Sequence, residues 1–191
     1  MTAFAQQWQS AFMATVQQQR YAQPLKQAAC REALSDWTIH LTTAVVAACS
    51  EIGWRASAKN CPIPAIPVKT KEFLSLDVTA FEPSDRQWPL PIAIMELENQ
   101  GSRIPYSLWK VLCVRAQLRV VFGYSRTTEE RASIIKTLQS TVLPDLGLTQ
   151  LVGIEGETLV VIGSRDQAEQ FPYGYFKWWQ LDNRAGSFSI L

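Results

Sequence analysis

The stretch Leu90-Pro-Ile-Ala-Ile-Met-Glu-Leu-Glu98, with the helix and strand that follow it, decides the fold prediction. It predicts a strand that ends on two acids. A helix from about Pro105 to Gln117 comes next. The continuously apolar run from Leu118 to Tyr124 is typical of a strand buried on both faces. Together these patterns predict helices packed against a sheet.

The flanking sequence extends this pattern in both directions. Phe4, Trp8, Phe12 and Val16 recur every four residues and predict an amphipathic helix. Pro24 predicts either a break after that helix or the first turn of a new one. Thr127 and Glu130 predict a capping box for a helix that ends near Leu143. The fold class is α/β (α+β), a central mixed sheet flanked by helices. The further predicted elements are a helix over 34–52 and strands over 54–58, 72–81, 158–162 and 173–181.

Length and composition indicate one folded domain. The 191 residues are 47% hydrophobic and carry a net charge of +1. A chain of this size buries a full core. Its near-neutral net charge excludes a protein that coats nucleic acid through positive charge spread over its whole surface. We expect a single domain over 1–191, with a helical extension over 1–32, a core over 33–125, and a helix and strands over 126–191 that complete the sheet.

Cysteine usage and hydropathy predict a cytoplasmic protein with no membrane segment. The four cysteines form no CxxC pair, so we expect reduced, mostly buried thiols. The apolar stretch from Ile39 to Cys49 is too short to span a bilayer, and no signal peptide is recognisable. His40 is the only histidine, which argues against a histidine-based triad or metal site.

Three carboxylates are the candidates for chemistry. Asp77 is predicted within the strand over 72–81, and Glu96 and Glu98 end the next strand on the same side, because side chains alternate along a strand. If the two strands pair, the three acids meet at one edge and need a cation. Oxygen-only ligands favour Mg²⁺ or Mn²⁺. The alternative is that Asp77 lies on an exposed face and the two glutamates are solvated.

Basic residues follow the acids directly. No acid occurs between Asn99 and Thr128, whereas this segment contains five cations. Cations beside an acidic strand end suit a phosphodiester substrate; Arg103 and Arg115 are the phosphate-binding candidates. Lys110 shares a helix stripe with Tyr106 that is predicted to face inward. The alternative is a surface lysine whose aliphatic stem covers apolar residues. The five cations are Arg103, Lys110, Arg115, Arg119 and Arg126.

The runs Glu72-Phe-Leu-Ser-Leu-Asp77, Pro91-Ile-Ala-Ile-Met-Glu-Leu-Glu-Asn99 and Ser107-Leu-Trp-Lys-Val-Leu112 resemble the PD-(D/E)XK nuclease superfamily. The resemblance covers roughly residues 34–124 and implies a restriction-endonuclease-like fold, with core order helix, strands, helix, strand. Asp77 and Glu96 match the two metal-binding acids of that family. Glu98 stands where the family usually has its lysine, and Lys110 corresponds to a lysine that some members carry on the following helix.

The resemblance implies a nuclease that uses Mg²⁺ or Mn²⁺ to activate water. Asp77, Glu96 and Glu98 would bind the ion with the Leu97 carbonyl, and Lys110 would assist catalysis. Glu51 and Asn99 are accessory candidates. The implied partner is nucleic acid, DNA in preference to RNA, and a homodimer fits this family.

Two other functions are compatible with the sequence. One is a catalytically inactive nuclease-fold protein that binds nucleic acid or a protein, which the glutamate at position 98 favours. The other is a protein-interaction role for the aromatic run from Phe171 to Trp179. Core packing explains the same aromatic composition.

Overall fold

A single mixed β-sheet forms the centre of the molecule. The computed structural model describes residues 3–59, 61–64, 66, 72–86 and 88–191, and its seven-stranded sheet has its strands in chain order. The pairs β3–β4 and β4–β5 are parallel, and the other neighbouring pairs are antiparallel. The strands are β1 Arg55–Ala58, β2 Val78–Phe81, β3 Ala93–Glu98, β4 Leu118–Ser125, β5 Glu157–Ser164, β6 Phe176–Asp182 and β7 Ser187–Ile190.

Helices cover both faces of this sheet. Side chains from α1, α2 and α3 share one apolar core with one sheet face, and side chains from α4 to α7 share a second core with the other face. The predicted α/β fold with a central mixed sheet flanked by helices is therefore confirmed. The helices are α1 Ala3–Gln17, α2 Gln19–Cys30, α3 Leu34–Glu51, α4 Ile104–Leu112, α5 Thr128–Thr137, α6 Leu143–Leu146 and α7 Leu148–Val152.

Strand β4 is buried along its whole length, as its apolar sequence predicts. Because side chains alternate, Val120 and Phe122 face the first core and Val121 faces the second. Gly123 lets α4 approach the sheet: a Cβ at this position would lie 2.5 Å from the Cδ1 atom of Ile104. The Ile104 side chain fills this space, and the buried residues of α4 pack in the second core beside the carboxyl ends of β3 and β4.

The predicted strand over 72–81 is wrong in its first half. Residues Phe73–Ser75 form a 3₁₀ turn, and only Val78–Phe81 pairs in the sheet. Leu74 and Ser75 have φ angles of +54° and +56°, a left-handed conformation that interrupts a strand. Asp77 therefore lies immediately before β2, where the chain enters the sheet.

Three other predicted boundaries are also corrected. The helix expected to reach Gln117 ends at Leu112. The last predicted strand begins at Phe176, after a series of turns. The helical break falls at Gln18, whose backbone is extended, and Pro24 lies inside α2.

The N-terminal segment over 1–32, predicted as an extension, packs into the main core. Trp8 and Phe12 of α1 are fully buried. The Phe12 ring lies 5.1 Å from that of Phe122 and 5.7 Å from that of Trp178. The aromatic stripe of α1 is therefore one wall of the first core.

Cysteine burial differs from the expectation. All four cysteines are free, but Cys49 is buried and the other three are exposed. Among the residues that the structure describes, no helix combines the length and the apolar character needed to cross a bilayer.

Candidate functional site

An acidic cleft lies at the carboxyl end of β3, next to the start of β2. Helix α4 passes beside it. The cleft encloses about 270 Å³. The left-handed turn before β2 forms one wall and α4 forms another. The lining residues are Thr38, Glu72, Ser75, Asp77, Glu96, Leu97, Glu98, Asn99, Arg103, Tyr106 and Lys110. The cleft therefore contains most of the predicted site residues.

Asp77 and Glu96 are joined through the backbone of the two strands. The Leu97 N–H donates a 2.7 Å hydrogen bond to Oδ2 of Asp77, and the Asp77 N–H donates a 3.4 Å bond to Oε1 of Glu96. Strand pairing of β2 with β3 sets this register. The two carboxylates thus occupy adjacent positions, as the sequence predicts.

Lys110 reaches the acids from α4. Its Nζ atom lies 2.9 Å from each carboxylate oxygen of Glu96. The same ammonium donates to the backbone carbonyl of Ser75. Lys110 therefore faces the cleft, as predicted, and connects Glu96 to the turn that precedes Asp77.

Ser107 is a site residue that the sequence analysis did not identify. It is fully buried, and its hydroxyl donates to Glu98 Oε1 at 2.7 Å and lies 3.4 Å from Glu96 Oε2. Arg103, Ser107 and Lys110 are spaced four and three residues apart and therefore share one helix face. That spacing is the signal by which Ser107 could have been found.

We expect Ser107→Ala to destabilise the protein by about 1–3 kcal/mol, because the buried Glu98 carboxylate loses a hydrogen-bond donor. Urea unfolding at pH 8 measures the change. Ser133→Ala, at an exposed position of α5, is the matched control and should change stability little. A Ser107 variant as stable as this control would contradict the assigned contact.

The cleft holds more negative than positive charge. Among its described lining residues, four carboxylates face two cations, Arg103 and Lys110. Burial raises the pKa of Glu96 to about 7, against the opposing hydrogen bond from Lys110. Burial likewise raises the pKa of Asp77, and the Leu97 N–H partly offsets it. With all four carboxylates ionised the cleft carries two more negative than positive charges, and protonation of Glu96 near pH 7 lowers that excess.

The raised pKa of Glu96 gives a pH prediction for the metal-free protein. Glu96 binds its proton more tightly in the folded state than at its ordinary pKa of 4.5. Its contribution to stability is therefore full below pH 4.5 and is lost as the pH rises through about 7. In EDTA, the stability of wild type relative to Glu96→Gln should fall over this window, by at most about 1.4 kcal/mol per pH unit.

Urea unfolding of both proteins between pH 4 and 8 tests this expectation. The stability of wild type relative to Glu96→Gln is the quantity compared. If it stays constant or rises with pH, Glu96 is not held in an unfavourable charged state.

The donor set fits a hard divalent cation held by few protein ligands. Within the described part of the chain, no group of three or more His, Cys, Asp or Glu side chains has metal-binding geometry. Mg²⁺ typically keeps several waters and uses one or two carboxylates with substrate phosphates. Asp77 and Glu96 supply two adjacent carboxylates, which is the number that this mode uses.

Arg103 forms the exposed side of the cleft, next to the buried Glu98. Arg103 Nε lies 3.7 Å from Glu98 Oε2, and the Arg103 side chain is 63% exposed. Asn99 donates its amide hydrogens to the Leu34 carbonyl and the Thr38 hydroxyl. It therefore anchors the end of β3 to α3, and these hydrogens are not directed at a phosphate.

Two predicted site residues lie elsewhere. Arg115 precedes β4 and therefore lies at the opposite end of the strands from the cleft. It pairs with Glu155 at 3.6 Å. Glu51 is exposed at the last residue of α3, 13 residues beyond Thr38, or about 20 Å along the helix. The spacing of these residues in the sequence does not indicate at which end of the strands each one lies.

Two of the other cations serve structural roles. Arg119 is buried and donates to the carbonyls of Val111, Val114 and Glu155. Arg126 pairs with Glu32 at 2.8 Å. Of the five cations after the acids, Arg103 and Lys110 are those that line the described cleft.

Comparisons with known proteins identify no relative of this chain. No family model, no curated protein and no solved structure matches the chain. The functional argument therefore rests on the residues of the cleft.

Proposed function

We propose that this protein is a Mg²⁺- or Mn²⁺-dependent nuclease of the PD-(D/E)XK type. The observation that carries the proposal is the convergence of Asp77, Glu96 and Lys110 in one cleft, with the lysine ammonium 2.9 Å from the Glu96 carboxylate. These are two acids and a lysine of the kinds that the resemblance implies. The lysine lies on α4. In this proposal it takes the place of the family's usual lysine, at whose position this chain has Glu98.

The order of elements supports the same proposal. A helix, three strands, a helix and a fourth strand follow one another as α3, β1, β2, β3, α4 and β4. This is the core order that the resemblance implies, and in it Asp77, immediately before β2, and the acids of β3 lie beside α4.

Each cleft residue has a chemical role in this proposal. Asp77 and Glu96 would hold the cation, with Glu98 and the Leu97 carbonyl as further candidate ligands. When bound, the cation lowers the pKa of a coordinated water and neutralises charge on the phosphate. Lys110 would orient the attacking water or stabilise the leaving oxygen, and the exposed Arg103 guanidinium would bind a phosphate. The substrate is nucleic acid, with DNA preferred over RNA.

The setting of the reaction belongs to the same proposal. Four free cysteines suit a reducing compartment, so we place the protein in the cytoplasm. A homodimer would allow both strands of a duplex to be cut.

An inactive nuclease-fold binding protein is the second candidate. It is favoured by Glu98 at the usual lysine position and by the pairing of Lys110 with Glu96 and Ser75. Cleavage of labelled single-stranded and duplex DNA in EDTA, Mg²⁺ and Mn²⁺ separates the two candidates. Metal-dependent products support the nuclease, and binding without products supports the alternative.

Replacing Lys110 with Met tests the assigned role of its ammonium. Because the variant leaves the Glu96 charge unpaired, Mg²⁺ should raise the melting temperature at least as much as in wild type. Cleavage should fall on the order of a hundredfold, the scale of one positioned proton-transfer or charge-stabilising group. Lys136→Met, at an exposed position of α5, is the control. A lost metal response would show that Lys110 supports the metal site and not the reaction.

A further inference from the structure

Lys110 contacts both carboxylate oxygens of Glu96. Its ammonium lies 2.9 Å from each of them, and it also donates to the backbone carbonyl of Ser75. An ammonium has three N–H donors, which is the number of these contacts. The side chain of Glu96 is 4% exposed and that of Lys110 is 19% exposed. A cation that belongs to the chain itself is therefore bound at the inner wall of the cleft.

The contacts of Glu96 leave no free position for a further cation. A carboxylate has about four lone-pair positions. Oε1 accepts from the Asp77 N–H at 3.4 Å, and Oε2 lies 3.4 Å from the Ser107 hydroxyl. Lys110 takes the remaining position on each oxygen. Because Mg²⁺ binds a carboxylate oxygen at about 2.1 Å, it needs a position that one of these groups now occupies.

Lys110 is the neighbour of Glu96 that is able to leave. The Asp77 N–H belongs to the backbone immediately before β2. Ser107 is fully buried and donates to Glu98 at 2.7 Å. The Lys110 ammonium, in contrast, ends a flexible four-carbon stem that is partly exposed. A divalent cation on Glu96 would also repel an ammonium at this distance, so Lys110 is the group that it would displace.

We propose that the Lys110 ammonium occupies the cation position at Glu96 in the metal-free protein and that a divalent cation binds by displacing it. This proposal rests on the proposed metal site and describes its regulation. Since the cation binds molecules in which Lys110 has left Glu96, the apparent affinity is reduced by the fraction of such molecules. The displaced ammonium has lost its carboxylate partner. It is then available to an anionic group, so the cleft accepts a phosphate after the cation and not before it.

Mn²⁺ binding tests the proposal in the absence of nucleic acid. Electron paramagnetic resonance of the free ion measures binding at pH 8. Lys110→Met keeps most of the length of the side chain and removes the ammonium. This variant should bind Mn²⁺ on the order of tenfold more tightly than wild type, which corresponds to an ammonium that leaves Glu96 in about one molecule in ten. Melting temperatures in EDTA show whether the variant is folded.

Arg103→Met is the matched control for charge. It removes one positive charge from the same cleft, but Arg103 pairs with Glu98, at 3.7 Å, and its side chain is 63% exposed. Its replacement should change Mn²⁺ affinity by no more than about threefold, the scale of an exposed charge. Equal effects of the two variants would show that net charge and not displacement sets the affinity, and would overturn the proposal.

Labelling of lysines in wild type is a second test that needs no variant. Acetic anhydride modifies free amines, and mass spectrometry of the digested protein gives the modified fraction at each lysine. Saturating Mg²⁺ should increase the labelling of Lys110 severalfold, because its ammonium has left Glu96. Labelling of Lys136, which is exposed on α5, should not change. Unchanged or reduced labelling of Lys110 in Mg²⁺ would contradict displacement.

The outcomes separate this proposal from the proposed function. If Lys110→Met binds Mn²⁺ no more tightly than wild type, displacement is rejected and the metal site stands. Absence of Mn²⁺ binding in both proteins would reject the metal site and the displacement with it. Failure of the nuclease function has its own readout, namely metal binding without cleavage of labelled DNA, and it leaves the displacement intact.

Discussion

If Asp77 and Glu96 hold the cation of the proposed nuclease, Asp77→Asn and Glu96→Gln are each expected to reduce Mg²⁺-dependent cleavage by at least about a thousandfold. The two carboxylates are the acids joined through the Leu97 and Asp77 N–H groups, and each variant removes one charged ligand. Cation stabilisation of the phosphate contributes several kcal/mol to such reactions, and each 1.36 kcal/mol corresponds to about tenfold in rate. The melting-temperature rise caused by Mg²⁺ should disappear in both variants.

Although Glu96→Gln is expected to lower cleavage, it should not lower the stability of the protein in EDTA. The variant replaces a buried carboxylate, 3% exposed, by a neutral side chain of the same shape, so it should be as stable as wild type or more stable at pH 8. Lost activity in a stable protein distinguishes a site residue from a folding residue. Glu155→Gln, at the opposite end of the strands, should leave cleavage and the metal response intact. Full cleavage by either cleft variant would reject the metal site.

Phe12→Ala is expected to cost about 3–5 kcal/mol of unfolding free energy. The Phe12 ring is fully buried and contacts Trp8, Phe122, Phe176 and Trp178. Truncation would leave a cavity in a layer of aromatic rings that cannot close it without moving a helix. A domain of this length should melt about 10 °C lower.

Gln7→Ala on the same helix is the control for this effect. Gln7 is exposed, so its replacement should alter stability by less than about 0.5 kcal/mol. Urea unfolding monitored by circular dichroism measures both variants. Equal stability of the Phe12 and Gln7 variants would mean that the Phe12 contacts do not stabilise the fold.

The sequence predicted the elements with strong periodicity and the acids attached to them. Glu96 and Glu98 follow from strand alternation. The inward-facing stripe predicted for Lys110 is wrong at Tyr106, which is 58% exposed, although Lys110 itself faces the cleft. Tertiary placement was harder to predict. Arg115 and Arg103 flank the same helix, and sequence spacing alone does not show that only one of them reaches the carboxyl end of β3.

Local backbone conformation accounts for other differences. The apolar alternation before Asp77 resembles a strand, but positive φ angles at Leu74 and Ser75 convert it into a turn. Ser107 has no sequence pattern of its own, since a small polar residue in a helix is usually exposed. Its role depends on the packing of α4 against the end of β3, where the hydroxyl reaches two carboxylates.

The contact of Phe12 with Trp178 has a consequence for biosynthesis. The 5.7 Å ring contact joins the first helix to the sixth strand, so the aromatic layer is completed only after nearly the whole chain has been synthesised. Chains are made from the N-terminus at a limited rate, and α1 therefore emerges from the ribosome well before its partner. During that interval its apolar stripe lacks the ring contacts that cover it in the folded protein, and exposed apolar surface of this kind favours aggregation.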